Sequence, residues 1–201
     1  MKWEEDLVKD IRTGNQEFDD RDAIPNELWG WAGGVTEVSA CNLQAMRDKF
    51  LPMADRCKSI LEIGINRNGE GSFTQIFLKN KRPDCKYFGI DIDDKAYLND
   101  EQNNIYTIRN DSSNYDSNMM IMKLHGVEEF DFIFIDGWHS INQMLRDWEY
   151  VRHLSPNGIV GFHDVNHHPG PKNFAAAIDR SKWSVELHCP NDFGIGFAWR
   201  K

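Results

Sequence analysis

Two short segments of this 201-residue chain concentrate carboxylates and imidazoles. One is Ile135-Asp136-Gly137-Trp138-His139-Ser140, and the other is Gly161-Phe162-His163-Asp164-Val165-Asn166-His167-His168. Each follows an apolar run that reads as a buried strand. Asp136, His163 and Asp164 together offer two carboxylates and an imidazole, a donor set for a divalent cation. Such a cation answers a chemical need: an aliphatic hydroxyl is a feeble nucleophile at neutral pH, and coordination lowers its pKa and fixes its position. His139 is placed to take the proton. His139 and Asp136 are thus the expected catalytic pair, and Asp136, His163 and Asp164 the expected metal ligands. His167 and His168 fall in a Gly/Pro loop and read as substrate-loop or solvent residues rather than ligands. Asp147, beside Trp148 in the middle of a helix, reads as solvated or as a supporting group behind the site.

A second constellation lies earlier. The run Leu61-Glu62-Ile63-Gly64-Ile65-Asn66-Arg67-Asn68-Gly69-Glu70-Gly71-Ser72 follows a short apolar strand. Glycines there let the backbone turn sharply and approach a ligand. A dinucleotide fingerprint, G-x-G-x-x-G, is the rival reading, but Asn66 replaces its middle glycine and would obstruct a pyrophosphate. Glu62 adds a carboxylate near the strand tip, which suits an ammonium better than a phosphate. Asp91 ends the next strand, at the distance where an acidic residue grips a ribose diol. Arg109-Asn110-Asp111-Ser112 follows the third strand and can meet an adenine edge. The candidate cofactor residues are Glu62, Gly64, Asn66, Gly69, Ser72, Asp91, Ile92, Asp111, Ser112 and Trp138.

These residues need strands to carry them. Hydrophobic patterning predicts strands at Ser59–Ile65, Lys86–Ile92, Ile105–Arg109, Phe130–Ile135 and Gly158–Phe162. Helices are predicted at about Glu37 to Met53, Gly71–Leu78, Tyr115–Leu124 and Ile141–Leu154, with a short one at Phe174–Ile178. In the fourth, Ile141, Met144, Leu145, Trp148 and Val151 form one apolar stripe, and Ser140 with Gln143 makes a capping box. Trp183–His188 and Gly194–Trp199 follow as two strands with no helix between them, implying an antiparallel hairpin. The alternation predicts a doubly wound α/β sheet whose ligands sit beyond the strands' carboxyl ends. The expected organisation is one domain over residues 1–201, with an N-terminal lid and helix segment to residue 57 and a Rossmann-like core from 58.

Composition narrows the partners. The formal net charge of -9, with no basic stripe, argues against nucleic acid and suits a cationic ligand. No apolar run is long enough to span a bilayer. The N-terminus lacks the pattern of a signal peptide, and no two of Cys41, Cys57, Cys85 and Cys189 form a C-x-x-C pair. The four cysteines therefore read as reduced thiols of a cytoplasmic protein.

Leu61-Glu62-Ile63-Gly64, Gly89-Ile90-Asp91, Ile135-Asp136-Gly137-x-His139-Ser140 and His163-Asp164-Val165, taken together, resemble the methyltransferase-24 type. This group is related to macrocin-like sugar O-methyltransferases and, more distantly, to catechol O-methyltransferases. The likeness spans roughly residues 58–166 and continues more weakly through the final hairpin. It implies a class I S-adenosylmethionine-dependent methyltransferase with a seven-stranded Rossmann-like sheet, mostly parallel, its last strand antiparallel. It also implies that Glu62, Gly64 and Asp91 bind the cofactor. The magnesium-ligating aspartate of the catechol-type relatives maps to Asp136, their Asp-Asn pair to His163-Asp164, and their lysine base to His139. Histidine in place of a carboxylate favours manganese or another borderline ion over magnesium.

The sequence contains seven tryptophans, of which Trp29, Trp31 and Trp138 can wall a pocket with flat faces that suit sugar rings. With the resemblance, the expected acceptor is a sugar hydroxyl on a glycan or glycosylated metabolite. A catechol or phenol is the first alternative. A cofactor-binding module without catalysis and an NAD-dependent oxidoreductase are the others. A homo-oligomer, or a place within a larger multidomain protein, is compatible with the chain.

Overall fold

The computed structural model describes residues 11–20, 39–65 and 71–201. Trp29, Trp31, Asn66 and Gly69 lie outside these residues. Seven strands form one sheet: β1 (Ser59–Ile63), β2 (Lys86–Asp91), β3 (Ile105–Arg109), β4 (Phe130–Ile135), β5 (Leu154–His163), β6 (Trp183–His188) and β7 (Ile195–Arg200), in the order β3-β2-β1-β4-β5-β7-β6. Pairing is parallel from β3 through β5, and β7 runs antiparallel to both β5 and β6. The expected hairpin is present, with β7 inserted between β5 and β6.

Among the described residues, five α-helices accompany the sheet, α1 (Ala40–Ala54), α2 (Phe73–Asn80), α3 (Tyr115–Leu124), α4 (Ile141–Asp147) and α5 (Pro169–Ala177), and a four-residue turn of helix, Gln16–Asp19, precedes them. Central strands are apolar throughout because both faces are covered. Alternate side chains feed two cores. Leu61, Ile63, Ile133 and Ile135 join Trp148, Phe162 and Phe174 in one. Ile60, Phe132 and Phe134 join Phe50, Phe73 and Phe77 in the other. Phe50 meets Phe77 and Phe132 edge-on at 5.1 and 5.3 Å, which seats α1 on the second face. Among the described residues, no helix is long and apolar enough to cross a membrane.

Five expectations change, the first being that β5 begins at Leu154, four residues before the predicted Gly158. The helix predicted over Ile141–Leu154 is α-helical only to Asp147 and continues as a 3-10 turn, Trp148–His153. The tighter winding puts Trp148 and Val151, three residues apart, on one buried face. Gln143 completes only half of the capping box: Ser140 Oγ accepts from its amide at 3.1 Å, while its side chain donates to Ser112 Oγ and Asp147 Oδ1, both at 2.9 Å. α5 begins at Pro169, five residues before the predicted start, because a proline suits the first helical turn, where no amide is needed. Finally, Cys41 and Cys189 form a disulfide with Cα atoms 5.9 Å apart, so the expectation of four reduced thiols is corrected for this pair. Folding brings the first turn of α1 against the end of β6, a meeting of positions 148 residues apart that local sequence cannot signal. Cys57 and Cys85 are buried free thiols.

Candidate functional site

Strand order reverses between β1 and β4, and a crevice opens there beyond their carboxyl ends. It encloses about 570 Å³. Gly64 makes its floor possible. This residue has φ +83°, and a Cβ on it would lie 2.1 Å from the Asp136 carbonyl oxygen. The Asp136 amide donates to the Ile63 carbonyl at 2.8 Å, and the Gly64 amide to the Ile90 carbonyl at 2.9 Å, which locks three strand tips together. Asp91 then holds the turn: its carboxylate accepts from the amides of Ile65 at 2.9 Å and Asp93 at 2.8 Å. Buried Lys95 lies 3.7 Å from it.

Six predicted cofactor residues, Gly64, Asp91, Ile92, Asp111, Ser112 and Trp138, line this cavity, as do Asp136 and His139. Ile92 and Trp138 are 70% and 58% exposed at its rim. The Trp138 indole donates to the Asp20 carbonyl at 3.4 Å, so the end of the 11–20 segment reaches the mouth. Sequence reasoning missed Ile63, Ile65, Ile90, Gly137 and Gln143, which also line the cavity, as does Asn110 of the segment expected to meet an adenine edge. Gln143 carried a visible signal, but its spacing from Ser140 pointed to a helix cap instead.

Two predicted residues lie elsewhere. Glu62 shares the strand parity of Ile60 and faces the α2 side, away from the cavity. Its carboxylate accepts from Tyr87 Oη and, at 2.9 Å, from Thr74 Oγ1. Burial pushes its pKa up to about 8 against these hydrogen bonds. Its carboxylate therefore points away from the cavity in which a cofactor ammonium was expected, because tip residues of alternate parity face opposite ways. Ser72 is buried as the N-cap of α2, where its side chain accepts from the Gln75 amide at 3.3 Å. Asp147 is not solvated: it is fully buried behind Gly137, and burial pushes its pKa up to about 7 despite hydrogen bonds from Ser112 and Gln143.

The chemical cluster sits where the tips of β4 and β5 adjoin. His163 Nδ1 is 3.2 Å from Asp136 Oδ1 and 3.4 Å from Asp164 Oδ2. His139 Nε2 is 2.8 Å from Asp164 Oδ2 and 3.6 Å from Asp136 Oδ1. Asp164 adopts φ +62°, a left-handed conformation uncommon outside glycine, which turns the chain sharply off β5. Burial alone would lower the His163 pKa, but Asp164 and Asp136 outweigh it and hold the imidazole at about 10. Burial raises the Asp164 carboxyl, and the flanking imidazoles pull it well below the ordinary carboxylate range.

This cluster fits a divalent cation. Octahedral bonds of about 2.1 Å put adjacent donors about 3 Å apart, close to the 3.2 and 3.4 Å separations around His163 Nδ1. Asp164 Oδ1 is buried without a hydrogen-bond partner among the described residues, a lone-pair set left open for a cation. One correction concerns the following loop. His167 is exposed as expected, but His168 is half-buried against His139, with ring centroids 4.3 Å apart.

Comparison with known proteins extends this geometry. MycE methyltransferase from the mycinamycin biosynthetic pathway, solved with Mg, SAH and mycinamycin VI, superposes with a TM-score of 0.56 at 18% identity. The match covers 78% of this chain and 48% of MycE, so the chain spans about half the length of that protein. The O-methyltransferase from Bacillus cereus, solved with SAH, superposes with a TM-score of 0.55 at 17% identity, covering 84% of each chain. These likenesses are of fold. No curated protein matches the sequence. Residues 61–165, a little over half of the chain, match the family model described as Methyltransferase domain, and the chain belongs to this methyltransferase-24 family.

Proposed function

We propose that this chain is an S-adenosylmethionine-dependent, divalent-metal-dependent O-methyltransferase acting on a sugar hydroxyl of a glycan or glycosylated metabolite. The observation that carries the reading is the cluster of Asp136, His139, His163 and Asp164, of which Asp136 and His139 line the same cavity as Asp91, Asp111 and Ser112. The cofactor supplies a sulfonium methyl group, and a bound cation supplies Lewis-acid polarisation of the acceptor hydroxyl.

The chain's own residues do the rest. Asp91 offers its remaining lone pairs to the ribose diol, and Asp111 and Ser112 meet the adenine edge. Asp136, His163 Nδ1 and Asp164 hold the cation, and manganese or another borderline ion suits the imidazole better than magnesium. His139 would take the hydroxyl proton as the methyl group moves from the sulfonium to the acceptor oxygen. Asp164, 2.8 Å from His139 Nε2, would stabilise the imidazolium. Holding the oxygen in line with the methyl group contributes several kcal/mol, on the order of that seen for oriented intramolecular reactions. The exposed Trp138 face supplies a platform for a sugar ring, and MycE, solved with Mg and mycinamycin VI, lends support to a metal-assisted reaction on a small molecule.

Calorimetry with S-adenosylmethionine, followed by labelled methyl transfer to sugars and catechols with and without chelator, tests this reading. Chelator-sensitive transfer to a sugar hydroxyl is expected. Chelator-insensitive turnover would remove the metal, transfer to catechols alone would remove the sugar, and cofactor binding without turnover on either would leave a binding module.

A further inference from the structure

The turn after β5 carries a second donor set that the reaction above does not use in full. The ligating atoms of His139, Asp164 and His168 lie within 4.8 Å of one another. Their placement is fixed by backbone contacts rather than by chance proximity of long side chains. The amides of His167 and His168 both donate to the Asp164 carbonyl at 3.2 Å, and His168 is the N-cap residue of α5. The Gly170 amide donates to the His139 carbonyl at 3.1 Å. A Cβ at Gly170 would fall 2.4 Å from the carbonyl oxygens of both His139 and Ser140, so only glycine lets the start of α5 lie this close to the His139 backbone. Two segments from different strand tips are thereby clamped together with three ligand side chains between them.

Two imidazoles and one carboxylate suit zinc and other borderline transition metals better than magnesium. Tetrahedral metal–nitrogen bonds of about 2.0–2.1 Å put neighbouring donors about 3.3 Å apart. His139 Nε2 and Asp164 Oδ2, at 2.8 Å, are already near that spacing, and His168 is within reach of a small side-chain rotation. We infer that His139, Asp164 and His168 form a second cation site for Zn2+ or a similar imidazole-preferring ion, adjoining the Asp136–His163–Asp164 set and sharing Asp164 with it. An ion held there occupies His139 Nε2. Zinc therefore inhibits methyl transfer, a consequence that rests on the proposed role of His139 as base, whereas the binding itself does not.

The test is titration of the metal-stripped full chain with Co2+, whose visible ligand-field bands report coordination. Asp136→Asn keeps the bands of this site. His168→Asn, which places a favoured N-cap residue at the start of α5, weakens Co2+ binding by about 100-fold or more, given that even an outer-shell partner of a metal ligand is worth about 10–100-fold. It relieves zinc inhibition, measured against the variant's own zinc-free rate, by a similar factor. Thermal melts establish that each variant is folded. Protection of His168 from diethylpyrocarbonate by Zn2+ gives the same answer without any substitution. Co2+ bands unchanged in folded His168→Asn, or absent from Asp136→Asn, would overturn the second site. A chain that binds Co2+ through His168 yet transfers no methyl group would keep this site and reject the methyltransferase reaction.

Discussion

Replacing Gly64 by alanine tests how the two strand tips create the cavity, and Gly71→Ala is its control. Both glycines have positive φ, +83° and +95°. A left-handed residue bearing a Cβ costs about 1–2 kcal/mol, and both variants bear that term. Only Gly64 also meets a neighbour: its Cβ would lie 2.1 Å from the Asp136 carbonyl oxygen, 2.5 Å from its carbon and 2.8 Å from the Gly137 nitrogen, whereas nothing lies within 4 Å at Gly71. An ordinary contact begins near 3.4 Å, so β1 and β4 must part by more than 1 Å at their tips. That breaks the 2.8 Å bond from the Asp136 amide to the Ile63 carbonyl, worth about 1 kcal/mol, and leaves strained packing beside it. We expect Gly64→Ala to cost about 3–4 kcal/mol and Gly71→Ala about 1–2. Urea unfolding followed by tryptophan fluorescence measures both. Because Asp136 moves with its backbone, turnover should fall by about 100-fold even where the variant is folded, as displacements of about 1 Å in active sites do. Equal stabilities for the two variants, within about 0.5 kcal/mol, would refute the close approach of the strand tips.

Other perturbations bear on separate parts of the molecule. Glu62 has its folded pKa raised from 4.5 to about 8, so the native state binds an extra proton between those values and stability falls as pH rises through the window. Glu62→Gln should flatten that fall by up to about 1.4 kcal/mol per pH unit; an unchanged slope in denaturation curves across the window would show that Glu62 is not held protonated. Asp136→Ala should lower kcat by about a hundredfold or more, as loss of a Lewis-acid site does, while calorimetry finds cofactor affinity nearly intact; parallel loss of both would contradict a metal role. Reducing Cys41–Cys189, or replacing Cys41 by serine, should destabilise oxidised protein by about 2–5 kcal/mol, and a melting temperature insensitive to reductant would show that the bond does not form.

Much of the frame was legible because central strands are covered on both faces. Their apolar runs are unbroken, and β3, α3, β4 and β6 begin and end where patterning predicts. The carboxylates and imidazoles at Asp91, Asp136, His163 and Asp164 were legible for the same reason, since a polar residue closing such a run must lie at a strand tip. Asp136 and Asp164 do meet, both within 3.4 Å of His163 Nδ1.

Side-chain direction was less legible. Glu62 belongs to the right strand tip but faces the other core, and Gln143 has the spacing of a cap but a side chain recruited to Ser112 and Asp147. His168 sat in what read as a Gly/Pro loop, yet Pro169 opens a helix and Gly170 seats it on the His139 backbone. Asp147 read as solvated or as a supporting group, and the packing behind Gly137 decided for the buried alternative.

By itself, then, the order of residues determined where strands and helices lie and which polar groups end the strands, because burial on two faces and helical periodicity are short-range demands on neighbouring positions. Tertiary structure alone decided which way Glu62 turns, that His168 joins His139 and Asp164, and that Cys41 reaches Cys189. Those outcomes depend on strand order and on the seating of one segment against another far away in the chain, where no local pattern records the partner.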